Sequence, residues 1–318
     1  MNKDEVGGLR VLVFGGTGFV GRRLCADLAA SDADVLSVAR TPPAEPCKHG
    51  FRALDLGTCP IEELVAFLRE QSPDIIVNAI GSIWGLTDDQ MERSCTTPTR
   101  RLVTALRQVQ VQVQAGTQAA WRPRLVHLGS VLEYGPIPQG GRTHPSLPAR
   151  PDSAYGRAKL AATDEVLSAV RDGVVDATVL RLANVAGPGT PGVSLLGRVA
   201  ARLADTEAAE PVIELAALEA YRDYVDVRDV AEAVACAFQA PVTGQIIDIG
   251  RGEAVSVRSL VRSLIEVSGR PAELVEKPAT AGGGDWIRVD PVPAQRLLGW
   301  SARYTPEDSV RALWAECR

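Results

Sequence analysis

Val11-Leu12-Val13-Phe14-Gly15-Gly16-Thr17-Gly18-Phe19-Val20-Gly21 is the stretch from which the fold is read. Its apolar start, Val11 to Phe14, has the length and composition of a buried strand. Glycines at 15, 18 and 21 then let the chain turn sharply and bring its backbone close to a ligand. An apolar, helix-compatible run follows from Phe19 to Ala30. Such a strand–turn–helix unit aims unpaired N–H groups and the positive end of a helix dipole at an anion. A dinucleotide pyrophosphate is the expected occupant, with Gly15, Thr17, Gly18, Phe19, Val20 and Gly21 around it. The spacing is GxxGxxG, and the competing reading is a glycine-rich turn in some other α/β protein.

Working outward, strand and helix signals alternate. Val35 to Ala39 reads as a short strand and Phe51 to Leu54 as a weaker one. Ile61 to Gln71 is helical, with Leu64, Phe67 and Leu68 as its apolar stripe. Ile75 to Val77, Leu125 to Leu128 and Val174 to Leu180 are further strands. Residues 90–110 read as a helix that Pro98 interrupts or delays. Continuous apolar strands separated by helices imply a mostly parallel sheet covered on both faces, an α/β fold. Ligands in such sheets bind beyond the carboxyl ends of the strands, so the informative polar residues are those that follow strands.

Composition narrows the class. The chain has 318 residues, enough for one large α/β domain or a main domain with a smaller lobe. Lys plus Arg is 34 and Asp plus Glu is 39, a net charge of -5 without the basic footprint of a nucleic-acid binder. No apolar run is long enough for a membrane span, and the first ten residues lack the apolar core of a signal peptide. The six cysteines lack metal-ligand spacing, so no metal site is expected and a reduced, cytoplasmic setting is.

Arg40 ends the second strand, with no acid at 39, 40 or 41 to take a ribose 2'-hydroxyl. An arginine there pairs with the 2'-phosphate of NADP, which favours NADPH/NADP and leaves NAD as the other choice. The alternative is a solvent-exposed arginine. Asp55 and the backbone of Leu56 follow the third strand, facing the adenine or serving as plain loop residues. The segment Asn78 to Gly81 passes the nicotinamide ribose, with Ala79 against the cofactor and Asn78 locking a strand end.

The chemistry lies in three residues. Ser130 ends a strand, and Tyr155 and Lys159 stand four apart, on one face of a helix. A lysine ammonium favours the phenolate and can hold ribose hydroxyls. The tyrosine can then give a proton to a carbonyl oxygen or abstract one in reverse, while the serine orients that oxygen. His127 reads as a packed neutral histidine, and Tyr134 as a packing residue beneath the substrate loop. Trp84 either lines the substrate cavity or closes the core edge.

With the stretches 15–21, 129–135, 155–159, 181–189 and 222–231 in view, the chain resembles the extended short-chain dehydrogenase/reductase family over about residues 10–315. That family includes nucleotide-sugar epimerases, dehydratases and ketoreductases. The resemblance implies a Rossmann doubly wound parallel sheet with a small C-terminal substrate-binding lobe. Residues 10–187 would be mainly NADP-binding and 188–318 mainly lobe, with about 222–250 returning to the first. It implies Ser130, Tyr155 and Lys159 as the catalytic set. Asn184 would lie near the substrate, or else be a turn residue. Arg222 would grip a substrate diphosphate, or else pair with Asp223 or another neighbour.

Within that family, dehydratases carry an Asp-Glu pair directly after the catalytic hydroxyl. Here Val131 and Leu132 follow Ser130, and Glu133 is displaced by one position. Cys95 occupies the place of a family asparagine and cannot make its amide contacts. The run from Val289 to Trp300 and the pair Glu92-Arg93 look like those of deoxysugar 4-ketoreductases. The expected reaction is therefore NADPH-dependent reduction of a dTDP-4-keto-6-deoxyhexose or related sugar in secondary metabolism. The alternatives are an NAD-retaining nucleotide-sugar epimerase and a reductase of a non-nucleotide substrate such as an aminoglycoside intermediate. A homodimer is implied through the helices near 90–110 and after Ala154. Leu102, Leu106 and Leu160 would lie on their outward faces or else fill the core. The glycine run 282–284 marks a flexible turn.

Overall fold

The computed structural model describes residues 6–114, 116, 121–205, 210–278 and 285–317. Strand β1 (Arg10–Phe14) leads through the glycine turn into α1 (Phe19–Ala29). Then come β2 (Asp34–Ala39), β3 (Gly50–Ala53), α2 (Ile61–Gln71), β4 (Ile75–Asn78) and α3 (Asp88–Gln114). Next are β5 (Arg124–Ser130), a 3-10 turn at Val131–Glu133, α4 (Ala154–Arg171) and β6 (Asp176–Leu182). Together with the later β10 (Ile246–Ile249), these strands form one parallel sheet in the order β10-β6-β5-β4-β1-β2-β3. The chain reverses its direction of travel across the sheet between β1 and β4, which opens a crevice at their carboxyl ends.

Alternate residues of β1 feed opposite faces. Val11 and Val13 pack with Leu24 and Leu28 of α1 and with Val230 and Val234 of α6 (Val227–Cys236). Leu12 and Phe14 pack on the other face with Leu64 and Leu68 of α2 and Leu102 of α3. Both faces are therefore closed, which explains why the strand sequences are continuously apolar.

One expectation is corrected here and one choice settled. Pro98 lies inside one continuous helix of 27 residues and neither interrupts it nor delays its start. The lost N–H leaves the turn short of one bond, but its neighbours are tied on every side. Thr99 Oγ1 donates to the Cys95 carbonyl at 2.9 Å and accepts from Asn78 Nδ2 at 3.0 Å, and Thr96 Oγ1 donates to the Ala158 carbonyl at 2.8 Å. Tertiary contacts override the helix-breaking preference. Leu102 and Leu106 are core residues rather than an outward face. Leu160 is half-buried.

The remaining chain makes a second core. Its elements are β7 (Asn184–Ala186), α5 (Leu195–Ala204), β8 (Val212–Leu215), β9 (Tyr221–Asp226), β11 (Ala254–Ser256), α7 (Val257–Ser268), β12 (Glu273–Glu276) and α9 (Pro306–Ala315), while α8 (Val292–Leu298) packs back on the main sheet through Ala294 and Leu298. Leu203, Ile213, Leu260, Leu264, Val310 and Trp314 fill it. Buried carboxylates fasten the lobe to the sheet. Asp223 accepts the backbone N–H groups of Arg251, Gly252 and Val289, and Asp229 accepts those of Arg303 and Tyr304. The glycine run 282–284 lies outside the described residues. Among the described residues no helix is long and apolar enough to cross a membrane.

Candidate active site

The crevice between β1 and β4 is narrow because only glycine fits its floor. Gly15 has φ of 79°, and a Cβ on it would stand 2.8 Å from the Ala79 carbonyl oxygen. A Cβ on Gly21 would stand 2.1 Å from the Gly15 carbonyl oxygen, so α1 packs directly against the turn. Gly18 caps α1 without any side-chain hydrogen bond, which leaves the helix N-terminus open toward the crevice. A cradle of this shape and polarity fits a dinucleotide diphosphate.

The cleft above it has a cavity volume of about 240 Å³. Gly15, Thr17, Gly18, Arg40, Asp55, Leu56 and Ala79 are all on its walls. Phe19, Val20 and Gly21 lie just behind, in the first turn of α1. Arg40 is exposed at the rim, and none of the described ion pairs involves it. Asp55 Oδ1 accepts the Gly57 N–H at 2.8 Å, and the Leu56 carbonyl is taken by Arg101 Nε at 2.7 Å. Leu56 therefore has only its N–H and side chain to offer a ligand. Ser82, Arg93, Ser94 and Pro98 also line the wall, and sequence reasoning gave none of them a role there. The fold brings α3 across the cleft, a tertiary placement that residue spacing does not encode.

Gly81 also lines the cleft, and a Cβ on it would lie 3.6 Å from Lys159 Nζ and 3.3 Å from Cys95 Sγ. The inner end of the cleft thus meets the α4 lysine. Lys159 is buried and donates to the Leu128 carbonyl on β5, not to Tyr155. Burial draws its pKa down. Tyr155 stands one turn earlier on the same helix. Burial pushes its phenol well above the usual value, and Cys95 and Glu133 add to the rise. At rest, then, Tyr155 holds its proton.

Ser130 caps the short 3-10 turn. Its Oγ accepts the Leu132 N–H at 3.2 Å, which leaves the hydroxyl proton free to be donated elsewhere. Glu133 is fully buried, accepting the Ser130 N–H at 2.8 Å and Arg181 Nε at 2.8 Å. A carboxylate bonded in this way is not available as the base of a dehydratase. Asn78 Nδ2 donates to Thr99 and contacts His127 Nδ1 at 3.1 Å, locking the end of β4. Burial and the Lys159 charge hold His127 well below the usual imidazole value, so it stays neutral. The Tyr134 hydroxyl donates to Asp248 at 2.8 Å beneath the 136–154 loop.

The residues expected to face substrate are more dispersed. Trp84 is 42% exposed, so it does not close the core edge. Asn184 is half-buried on β7. Arg222 on β9 is ion-paired with Asp285 and not with Asp223, whose carboxylate is committed to the three backbone N–H groups named above.

The sequence pattern of the NAD dependent epimerase/dehydratase family matches residues 11–250. The chain is 44% identical over 310 residues to the dTDP-6-deoxy-L-talose 4-dehydrogenase (NAD(P)(+)) of Kitasatospora kifunensis, covering 96% of this chain and 94% of the relative. The structure of MoeE5 in complex with UDP-glucose and NAD aligns with a TM-score of 0.80 at 25% identity, covering 96% of this chain and 97% of that one. RMD from Pseudomonas aeruginosa, complexed with NADPH, shares the fold with a TM-score of 0.79 at 21% identity, covering 97% and 99%.

Proposed function

This chain belongs to the NAD dependent epimerase/dehydratase family, and from that premise we propose that it is an NADPH-dependent reductase of a dTDP-4-keto-6-deoxyhexose. The observation that carries the reading is one cleft with two distinct ends. Arg40, which has no ion-pair partner among the described residues, stands at the rim, and Lys159 sits behind Gly81 at the inner end. The substrate class is supported by the Kitasatospora kifunensis relative, whose name is that of a dTDP-6-deoxy-sugar 4-dehydrogenase.

Bound NADPH supplies the hydride. The open N-terminus of α1 would hold the cofactor diphosphate, and Arg40 would take its 2'-phosphate through charge-assisted hydrogen bonds. Ser130 keeps its proton and donates a hydrogen bond through it to the ketone oxygen, which lowers the cost of charge building there. Tyr155 gives its phenolic proton to that oxygen as the alcohol forms. Lys159, which rests on the Leu128 carbonyl, would turn toward the phenolate and offset the charge left on it, and would also hold the ribose hydroxyls of a bound cofactor. Arg222 exchanges Asp285 for the sugar diphosphate, to which a guanidinium fork is well matched.

The test is to measure nucleotide released from purified protein and then oxidation of NADPH and NADH with the 4-keto sugar nucleotide. The expected outcome is little retained nucleotide, one NADPH oxidised per ketone reduced, and a lower KM for NADPH than for NADH. Tightly retained NAD with interconversion of sugars and no net oxidation would replace the reductase with an epimerase.

A further inference from the structure

A fully buried ion pair lies beside the reaction centre and takes no part in the steps above. Glu133 and Arg181 have side-chain exposures of 0% and 3%, with Arg181 Nε 2.8 Å from Glu133 Oε2. The other carboxylate oxygen, Oε1, accepts the Ser130 N–H at 2.8 Å. That approach requires glycine at 129, where a Cβ would stand 2.7 Å from Oε1. The arginine is fixed from behind by the Tyr134 ring, 4.5 Å from its guanidinium carbon. Tyr134 is held in turn by Asp248, which also accepts Thr143 Oγ1 at 2.9 Å.

Burying such a pair is costly, and apolar residues of similar volume often serve stability as well or better. What an apolar pair cannot do is accept the Ser130 N–H. With that N–H bound to Glu133 and Ser130 Oγ bound to the Leu132 N–H, rotation of the serine main chain is restrained at both ends. The one mobile polar hydrogen left on Ser130 is its hydroxyl proton.

We infer that Glu133, gripped by Arg181, is a positioning residue that sets the direction of the Ser130 hydroxyl. The inference rests on Ser130 donating to the ketone, as proposed above.

Two double variants isolate the acceptor from the charge. In both, Arg181→Met removes the cation that a neutral residue at 133 would leave unpaired. Glu133→Gln still accepts the Ser130 N–H, whereas Glu133→Leu does not. The glutamine form should keep kcat within about threefold of the parent. The leucine form should lose about tenfold or more, with the KM for NADPH unchanged, since a misaimed group affects the chemical step. In a Ser130→Ala background the two forms should have equal kcat, because no hydroxyl remains to be aimed. Equal kcat with Ser130 present overturns the inference, as does an undiminished gap with Ser130 absent, which is the mark of plain scaffolding. A Ser130→Ala chain with wild-type kcat overturns the serine assignment itself, so the two failures are distinguishable. If the leucine form does not bind NADPH, Arg181→Lys is read instead, because it keeps the buried charge but not the fork. Its kcat should fall about two- to tenfold with the KM for NADPH unchanged, and an unchanged kcat overturns the inference.

Discussion

At the scale of single residues, the proposal assigns the proton transfer to Tyr155 and the cofactor preference to Arg40. Replacing Tyr155 with Phe removes the proton and little else. The expected loss in kcat is about 10²- to 10⁴-fold, with NADPH binding by fluorescence titration unchanged. Arg40→Asp exchanges a phosphate partner for a phosphate repellent. It should raise the KM for NADPH by about ten- to a hundredfold in steady-state assays while leaving NADH no worse. The candidate reactive residues stood out in the sequence because few readings unite a post-strand serine, a Tyr-x-x-x-Lys helix and a glycine turn. Arg93 and Ser94 were not legible. Their place on the cleft wall depends on how α3 crosses the sheet, which no local spacing encodes. Arg222 was legible as a candidate, but its partner was not, since Asp285 lies 63 residues further along the chain.

Elements were read best where the pattern was strongest. The helix Ile61–Gln71 is found at the bounds its apolar stripe implied. Pro98 misled because a local rule was applied where buried threonines and Asn78 hold the chain from outside. The short strands β8, β11 and β12, of three or four residues each, have too little length for a period to show. The glycine turn carries its own test. A methyl group at Gly21 meets the Gly15 backbone, which cannot give way as a flexible side chain would. Gly21→Ala should therefore cost about 1–3 kcal/mol of stability, seen as a lower urea midpoint. The same shift of α1 should also weaken NADPH binding.

For the whole molecule, the C-terminal third is joined to the sheet by buried acids rather than by apolar packing alone. A further buried acid, Asp248, lies on β10 of the sheet itself and ties Tyr134 and Thr143 to that strand. Burial raises its pKa to about 6 from the 3.8 of a free carboxyl, against the pull of its bonds to Tyr134 and Thr143. The folded chain therefore binds the proton more tightly than the unfolded chain does. Stability from this group is full below pH 3.8 and declines as pH rises through 6, by on the order of 3 kcal/mol. Asp248→Asn is neutral at every pH. Its melting temperature relative to the parent should climb from pH 4 to pH 6 and level off above. A difference independent of pH would contradict this account.

The lysine moored to its own backbone gives catalysis a timetable. So long as the Lys159 ammonium rests on the Leu128 carbonyl, the site is unfinished, and a sugar arriving first meets a tyrosine without its cation. On the proposed assignment, Lys159 would leave the Leu128 carbonyl only once a bound dinucleotide offered its ribose hydroxyls, so the site would be ready for the sugar only after the cofactor. The kinetics should accordingly be compulsory-order. Initial-rate lines should intersect rather than run parallel, oxidised cofactor should compete only with reduced cofactor, and the sugar should have no measurable affinity for the bare protein.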